Sequence, residues 1–279
     1  MIYILLATYN GEKYLREQLD SLFNQTYQEW VLWIHDDNST DSTELIINEY
    51  VDRYPDKIIY LNDGVRCGGA KENFSYLLEK IDDNYDYVMF CDQDDVWIND
   101  KIKKTLFKMY ELELISTRIV PLGVFSDLSV VNENLNVISR SMWSQQKLNP
   151  VFCKNVFRLS TCNVITGCTF MVNKNAVNIY TLTETALMHD WLFGILILKS
   201  GGSICFINEP LVLYRQHNSN VCGAEHVNIG TLLNKIRRIN KLIESHFKNY
   251  KMAKDVGVYK NIIMFFFSKI KTIYIRYFT

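Results

Sequence analysis

Residues 91–97 read CDQDDVW and follow residues 85–90, YDYVMF, an aromatic and aliphatic run with the composition of a buried strand. Asp92, Asp94 and Asp95 therefore crowd the end of that strand, where like charges repel and an unpaired buried carboxylate is costly. Such an arrangement demands a positive partner. Acids at a buried strand end suit a hard divalent cation, Mn2+ or Mg2+, held by oxygen ligands with room left for a substrate's phosphates. The same letters also fit a solvated acidic loop in which Asp94 or Asp95 caps a helix begun by VWINDKIKK, residues 96–104.

Working outward, the first half of the chain alternates strand-like and helix-like segments. IYILLATY (2–9), EWVLWIHDD (29–37), KIIYLND (57–63) and YDYVMF read as strands. Between them, residues 12–25 place Tyr14, Leu15, Leu19, Leu22 and Phe23 at helical spacing. STDSTELIINEYVDRY (39–54) is a capped amphipathic run, and AKENFSYLLEKI (70–81) a third helix. Repeated β-α units predict a mainly parallel sheet with helices on both faces, and ligands of such sheets bind beyond the carboxyl ends of the strands. TYN (8–10), HDD (35–37) and CDQDD (91–95) supply polar groups at those ends. Beyond residue 100 the spacing predicts a helix over 101–114, strands around a turn in 123–138, a strand over 164–173 and further strands in 203–217.

With 279 residues, 48% of them hydrophobic, the chain can bury a large core. Cysteines 67, 91, 153, 162, 168, 205 and 222 form an odd set without a CxxC pair or zinc-like spacing, and read as reduced cytosolic thiols, mostly in the core. The opening MIYILLATYNGEKY is too short in its apolar part for a signal peptide or a membrane span, which predicts an intracellular protein. The net charge of −1 conceals an asymmetry: residues 227–279 carry +9, leaving −10 for the remainder. That pattern predicts a catalytic body over 1–225 with a basic extension over 226–279 meant for an anionic surface. In the extension, Leu232, Leu233, Ile236, Ile239 and Ile243 share a helical face with basic residues between them, and residues 262–278 add bulky apolar groups among Lys269, Lys271 and Arg276. An anionic membrane surface is the expected partner and nucleic acid is not; ordinary packing of these helices on the body is the competing reading.

TYNGEKYLREQLDSLFNQTY (8–27), HDDNSTDST (35–43), CDQDD, ITGCTFMVN (165–173), HDWLFGILILKSGG (189–202) and YRQHNSN (214–220) occur in that order, and together they resemble the family 2 glycosyltransferases of the GT-A fold over about residues 1–223. The resemblance implies a Rossmann-like, mainly parallel sheet flanked by helices, a nucleotide-sugar donor and a divalent cation. It implies that Thr8, Tyr9 and Asn10 line the nucleoside pocket, that Asp37 meets the base with Asp36 beside it, and that Gly69, Lys71 and Asn73 lie along the donor. Asp92 would face the ribose and metal, Asp94 would be the principal metal ligand, and Arg215 and His217 would stand near the leaving group, the first on phosphate oxygens and the second completing the metal's coordination or donating to the diphosphate. Asp190 is the candidate base that takes the acceptor hydroxyl's proton in an inverting displacement, with a plain helix cap as the competing reading. His189 stands where many relatives carry a second acid. His35 has weaker support for a functional role than His217.

The strings MFCDQDDVW and HDWLF…YRQHNSN look most like the rhamnosyltransferase branch that builds bacterial surface polysaccharides, which implies dTDP-L-rhamnose as donor and a glycan or polyprenyl-diphosphate-linked acceptor at the inner face of the cell membrane. No QxxRW motif of processive synthases is present, which favours transfer of one sugar. A UDP-hexose transferase of the same fold and a silent scaffold in a polysaccharide assembly complex are the competing readings.

Overall fold

The computed structural model describes residues 1–116, 119–217 and 239–278. Strands β1 (Ile2–Thr8), β2 (Trp30–Asp36), β3 (Ile58–Leu61) and β4 (Tyr87–Asp92) alternate with helices α1 (Leu15–Phe23), α2 (Thr43–Arg53) and α3 (Ala70–Lys80). β1 runs parallel to both β2 and β4, and β2 parallel to β3. The chain thus steps outward from β1 to β3 and returns to β1's other side, which makes the β1–β4 boundary the topological switch point where a crevice opens beyond the strand ends. Alternation along β1 sorts its side chains into two layers. Ile2, Ile4 and Leu6 join Leu15, Leu19 and Leu22 of α1 and Ile46 and Ile47 of α2. Tyr3 and Leu5 join Phe74 and Leu77 of α3 in the other layer.

The second half completes the sheet with mixed directions. β5 (Val96–Trp97), α4 (Lys101–Ile115), β6 (Leu122–Val131), β7 (Val137–Ser139), α5 (Met142–Gln146), α6 (Val156–Leu159), β8 (Met171–Asn173), α7 (Lys174–Asn178), α8 (His189–Lys199) and β9 (Ser203–Arg215) follow in order. The strand order is β3-β2-β1-β4-β8-β6-β9-β5, with β7 on β6. β8 is antiparallel to β4 and β6, while β6 and β9 are parallel. Three sequence expectations change here. Val96 and Trp97 begin no helix: they pair with Leu213 and Val212 of β9, and α4 starts only at Lys101, so neither Asp94 nor Asp95 caps it. Residues 164–173 hold a 3-10 turn, Gly167–Thr169, before the short β8. The segment 203–215 is one long strand through Pro210, whose missing N–H is tolerated where the register against β6 shifts.

Helices α9 (Ile239–Asp255) and α10 (Ile262–Phe278) pack on this body. Met252, Val256 and Ile275 join the same core layer as α8, Thr161 Oγ1 donates to Thr272 Oγ1 at 2.9 Å, and Arg276 Nε donates to Lys147 O at 2.9 Å. Packing and exposure are combined in α10, because Ile263, Phe267, Ile270 and Tyr274 remain on the surface. Leu232, Leu233, Ile236 and the NSN of YRQHNSN lie outside the described residues, as does Cys222. Among the described residues no helix is long and apolar enough to cross a membrane. The described cysteines are free thiols, and Cys91, Cys153, Cys162 and Cys168 are buried.

Candidate active site

The loops leaving β1 and β2 are built around their acids. Asp36 Oδ1 accepts from Thr8 Oγ1 at 2.7 Å and from Ser39 Oγ at 2.6 Å, and Asp36 Oδ2 accepts from Ser39 N at 2.7 Å. Asn10 adopts φ 47°, a left-handed conformation that asparagine tolerates, and its Oδ1 accepts from Thr40 N at 2.8 Å. Asp37 is buried and receives the backbone N–H groups of Cys67 and Gly68, which draws the 64–69 loop to the switch point. Tyr9 leaves its ring exposed at this edge. Gly69 precedes α3, and Lys71 Nζ donates to Ala186 O at 2.8 Å, joining α3 to the segment ahead of α8. Asn73 is buried, its Oδ1 lies 2.8 Å from His35 Nδ1 and its Nδ2 donates to His35 O, so its amide holds β2 to α3.

Across the crevice, β4 ends in Asp92, and the loop to β5 carries Asp94 and Asp95. Asp94 Oδ2 lies 2.7 Å from His217 Nε2, and the His217 ring packs on Tyr14 at 4.9 Å. Asp95 is fully enclosed: Oδ1 accepts from Arg215 N at 3.1 Å, and Oδ2 meets no hydrogen-bond partner among the described residues. Ligand atoms of Asp92, Asp95 and Cys168 all lie within 4.8 Å of one another. Burial first, then the neighbouring Asp94 and Asp190 charges, push the Asp92 carboxyl up to about 7. Burial, then the Asp94 and Asp92 charges, also raise the Asp95 carboxyl well above its ordinary value. Protons or a cation must relieve this cluster. The carboxylate oxygens of Asp92, Asp94 and Asp95, with the His217 imidazole on Asp94, are of a donor chemistry that suits Mn2+ or Mg2+, and the Asp95 oxygen without a hydrogen-bond partner among the described residues marks the excess of negative charge.

Arg215 is placed differently from its expected role on phosphate oxygens. Its guanidinium is buried, donates from Nε to Asp94 O at 2.9 Å, and also donates to Glu133 O and to the Glu17 carboxylate. It clamps the loop that carries Asp94 and Asp95 to α1 and to the β6–β7 turn, with its face 4.4 Å from the centre of the Tyr14 ring.

Asp190 lies in the first turn of α8, its Oδ1 accepting from Trp191 N at 2.5 Å. Burial raises its carboxyl to about 6 against the hydrogen bonds of Trp191 N, Gly167 N and Asn163 that lower it. A carboxylate that holds a proton near neutrality is suited to take one from a hydroxyl. His189 beside it is no second acid. Its ring packs between Phe74 at 4.3 Å and Phe90 at 4.9 Å, neither nitrogen has a hydrogen-bond partner among the described residues, and burial pushes its pKa down to about 3. It is a neutral wedge.

Sequence reading missed Gln93, Tyr14, Glu17, Lys101 and Cys168. Gln93, the middle letter of the acid motif, has its amide on the Tyr9 backbone, and Tyr14 sits under both His217 and Arg215. Only Gln93 carried a signal, its place between two acids.

A family model described as Glycosyl transferase family 2 matches residues 3–176. The chain belongs to that family. This glycosyltransferase is 29% identical over 280 residues to the dTDP-rhamnosyl transferase RfbG of Shigella flexneri, covering 93% of this chain and 91% of that protein. Among solved structures it resembles S. aureus TarS 1-349 in complex with UDP-GlcNAc, with TM-score 0.57 and 20% identity over 81% of this chain and 61% of that one. The mannosyltransferase PcManGT of Pyrobaculum calidifontis, in complex with GDP-Man and Mn2+, matches with TM-score 0.57 and 13% identity over 98% of this chain and 73% of that one. At these identities the structures establish the shared GT-A-like fold.

Proposed function

We propose that this glycosyltransferase moves one L-rhamnose from dTDP-L-rhamnose, with inversion, to a glycan or polyprenyl-diphosphate-linked acceptor in cell-surface polysaccharide synthesis. The convergence of Asp92, the Asp94–His217 pair and Asp190 at the switch point carries the reading, and the likeness to RfbG supports the donor. Tyr9, Asn10 and the Asp36–Asp37 loops border the nucleoside pocket. Asp92, Asp94 and His217 would hold Mn2+ or Mg2+, which when bound neutralises charge on the donor diphosphate. Asp190 takes the acceptor hydroxyl's proton as that oxygen attacks the anomeric carbon and the bond from that carbon to the diphosphate oxygen breaks, releasing dTDP, and the enclosure that raises the Asp190 pKa excludes competing water. A scaffold has no use for carboxylates held so close together at raised pKa.

On the outer surface, the exposed Ile263, Phe267, Ile270 and Tyr274 of α10, with Lys260 and Lys271 also exposed, fit attachment to an anionic membrane face, where a lipid-linked acceptor would be met. A panel of nucleotide sugars assayed for transfer and slow hydrolysis tests the donor. Preference for dTDP-L-rhamnose over UDP-glucose and UDP-galactose is expected; preference for a UDP-hexose replaces the rhamnose assignment with the competing one.

A further inference from the structure

Between α6 and α10 lies a cavity of about 280 Å³ that shares no lining residue with the candidate active site. Met264, Ser268 and Lys271 line it from α10, at the i, i+4, i+7 spacing of one helical stripe. The adjoining stripe, Ile263, Phe267, Ile270 and Tyr274, is the exposed apolar one. Phe157 and Arg158 line the cavity from α6. Its walls are held without a ligand: Phe157 O accepts from Tyr259 Oη at 2.9 Å and from Ser268 Oγ at 3.0 Å, and Asn155 Oδ1 accepts from Arg158 N at 3.1 Å. Residues 150–162 and 256–277, which contain these walls, hold Lys154, Arg158, Lys260, Lys269, Lys271 and Arg276 and no aspartate or glutamate. Two of these cations are built into the protein, since Lys269 Nζ donates to Thr161 O and Arg276 Nε to Lys147 O. Arg158 and Lys271 are not: both line the cavity, and neither head has an ion-pair or hydrogen-bond partner among the described residues. Asp255 of α9, the acid nearest in sequence to α10, accepts from Thr185 Oγ1 at 2.5 Å and does not line the cavity.

Two cations lining one hollow without an acid repel each other, and an anion that accepts from both relieves them. A guanidinium fork matches phosphate oxygens, and an ammonium binds phosphate as a point charge. The volume lies at the lower end of small-ligand sites, roughly 300–1,000 Å³, which suits a headgroup and is too small for a whole lipid. The rim selects among phosphates. Phe157 and Met264 are 42% and 44% exposed there, and the apolar stripe of α10 continues beside them with Phe267 at 71%. A free phosphate has nothing to lay on such a rim, whereas a phospholipid has its acyl chains. We propose that the cavity binds the phosphate of an anionic phospholipid headgroup, with Arg158 and Lys271 on its oxygens and the chains along the apolar rim. The inference rests on the membrane reading of α10 and goes beyond it, from a general attraction to an anionic leaflet to a built site for one lipid group.

The full chain is co-sedimented with vesicles of phosphatidylcholine alone and of phosphatidylcholine with phosphatidylglycerol. Two double variants of equal net charge are compared. Arg158→Gln with Lys271→Gln strips the cavity of its cations, and Lys154→Gln with Lys260→Gln removes two exposed cations of the same segments that do not line it. Affinity for the phosphatidylglycerol vesicles is expected to fall at least about tenfold further in the cavity variant than in its charge-matched control, because diffuse attraction follows charge near the surface and a site follows contacts. Equal losses would overturn the proposal and leave α10 a general membrane face. If the wild type does not sediment with phosphatidylglycerol vesicles at all, the membrane reading falls, and the site with it. Calorimetry of the wild type with inorganic phosphate and with dihexanoyl phosphatidylglycerol below its micelle concentration separates the sources. The lipid is expected to bind at least about tenfold more tightly through its chains, and equal affinity would assign the cavity to a soluble phosphate instead. Melting temperatures accompany each variant. Should Arg158→Gln unfold the protein, Lys271→Gln against Lys260→Gln, both at exposed positions, makes the same comparison: a larger loss in Lys271→Gln supports the site, and an equal one refutes it.

Discussion

Gln93 holds the backbone of Tyr9 on both sides, its Nε2 donating to Tyr9 O and its Oε1 accepting from Tyr9 N, each at 2.9 Å. The residue between Asp92 and Asp94 thus sets the loop that leaves β1. Gly11 belongs to the same contact, because a Cβ there would run into the Gln93 amide.

Gln93→Ala should therefore loosen the pocket without altering the acids. Loss of two hydrogen bonds to backbone is worth about 1–3 kcal/mol of loop order, and the donor KM should rise more than kcat falls. Steady-state kinetics checks this, and a kcat loss at constant KM would place the effect in the chemistry instead. Gly11→Ala should reproduce the KM effect by displacing the same amide.

Asp190→Asn should bind donor normally and lose transfer by about a hundredfold or more, since a base acts in the transition state. With its carboxyl at about 6, the base is ionised above that pH, so the wild-type rate should fall as pH drops through about 6. Nucleotide calorimetry beside pH–rate profiles separates binding from catalysis; near-normal turnover of the variant would move the base elsewhere.

His189→Leu tests the neutral wedge through stability. The folded-state pKa, about 3, lies below the ordinary 6.5, so the unfolded chain binds the proton more readily between those values. This residue's contribution is intact above about pH 6.5 and is lost as pH falls toward 3, by up to about 1.4 kcal/mol per pH unit. Asp92 and Asp190, whose pKa values are raised, run the opposite way, so the readout is the difference between variant and wild type. Urea melts from pH 7 to 4 should show a smaller acid loss in His189→Leu; an identical slope would contradict the assignment.

Phe267→Glu with Ile270→Glu should reduce co-sedimentation with anionic liposomes while the melting temperature changes little, because both side chains are exposed. Added salt should weaken the wild-type interaction. Deleting the extension is a poorer test, since it would strip Met252, Val256 and Phe265 from buried positions. Equal sedimentation of variant and wild type would remove the membrane role of this face.

Local periodicity made the parallel half of the sheet legible, since β1–β4 are short apolar runs ending in polar letters and their helices repeat at helical spacing. The acids at the end of β4 were legible as charged letters closing an apolar run, whereas Asp190 was singled out by the resemblance to the family and not by periodicity. What escaped were pairings between distant segments. Asp95 and VWINDKIKK look like a helix start locally, but β9 claims Val96 and Trp97 from more than a hundred residues away. Asn73 is placed along the donor only by the resemblance to the family, and its contact with His35 on β2 depends on a residue 38 positions away. Lys101 looks like one of several solvated lysines in KIKK, and only the tertiary structure singles it out as enclosed.

The Arg215 clamp also dictates an order of events. Its guanidinium gathers Glu17, the carbonyl of Asp94 and the carbonyl of Glu133, so four remote stretches of chain close at one point. Such long-range closure comes at the slow end of folding, after local β-α units have formed. During synthesis, a nascent chain that has not yet released β9 can fold its parallel half but has no finished rim around the acids. A chain cut before residue 215 lacks the guanidinium that joins these four stretches, and with it the closure of the rim around the acids.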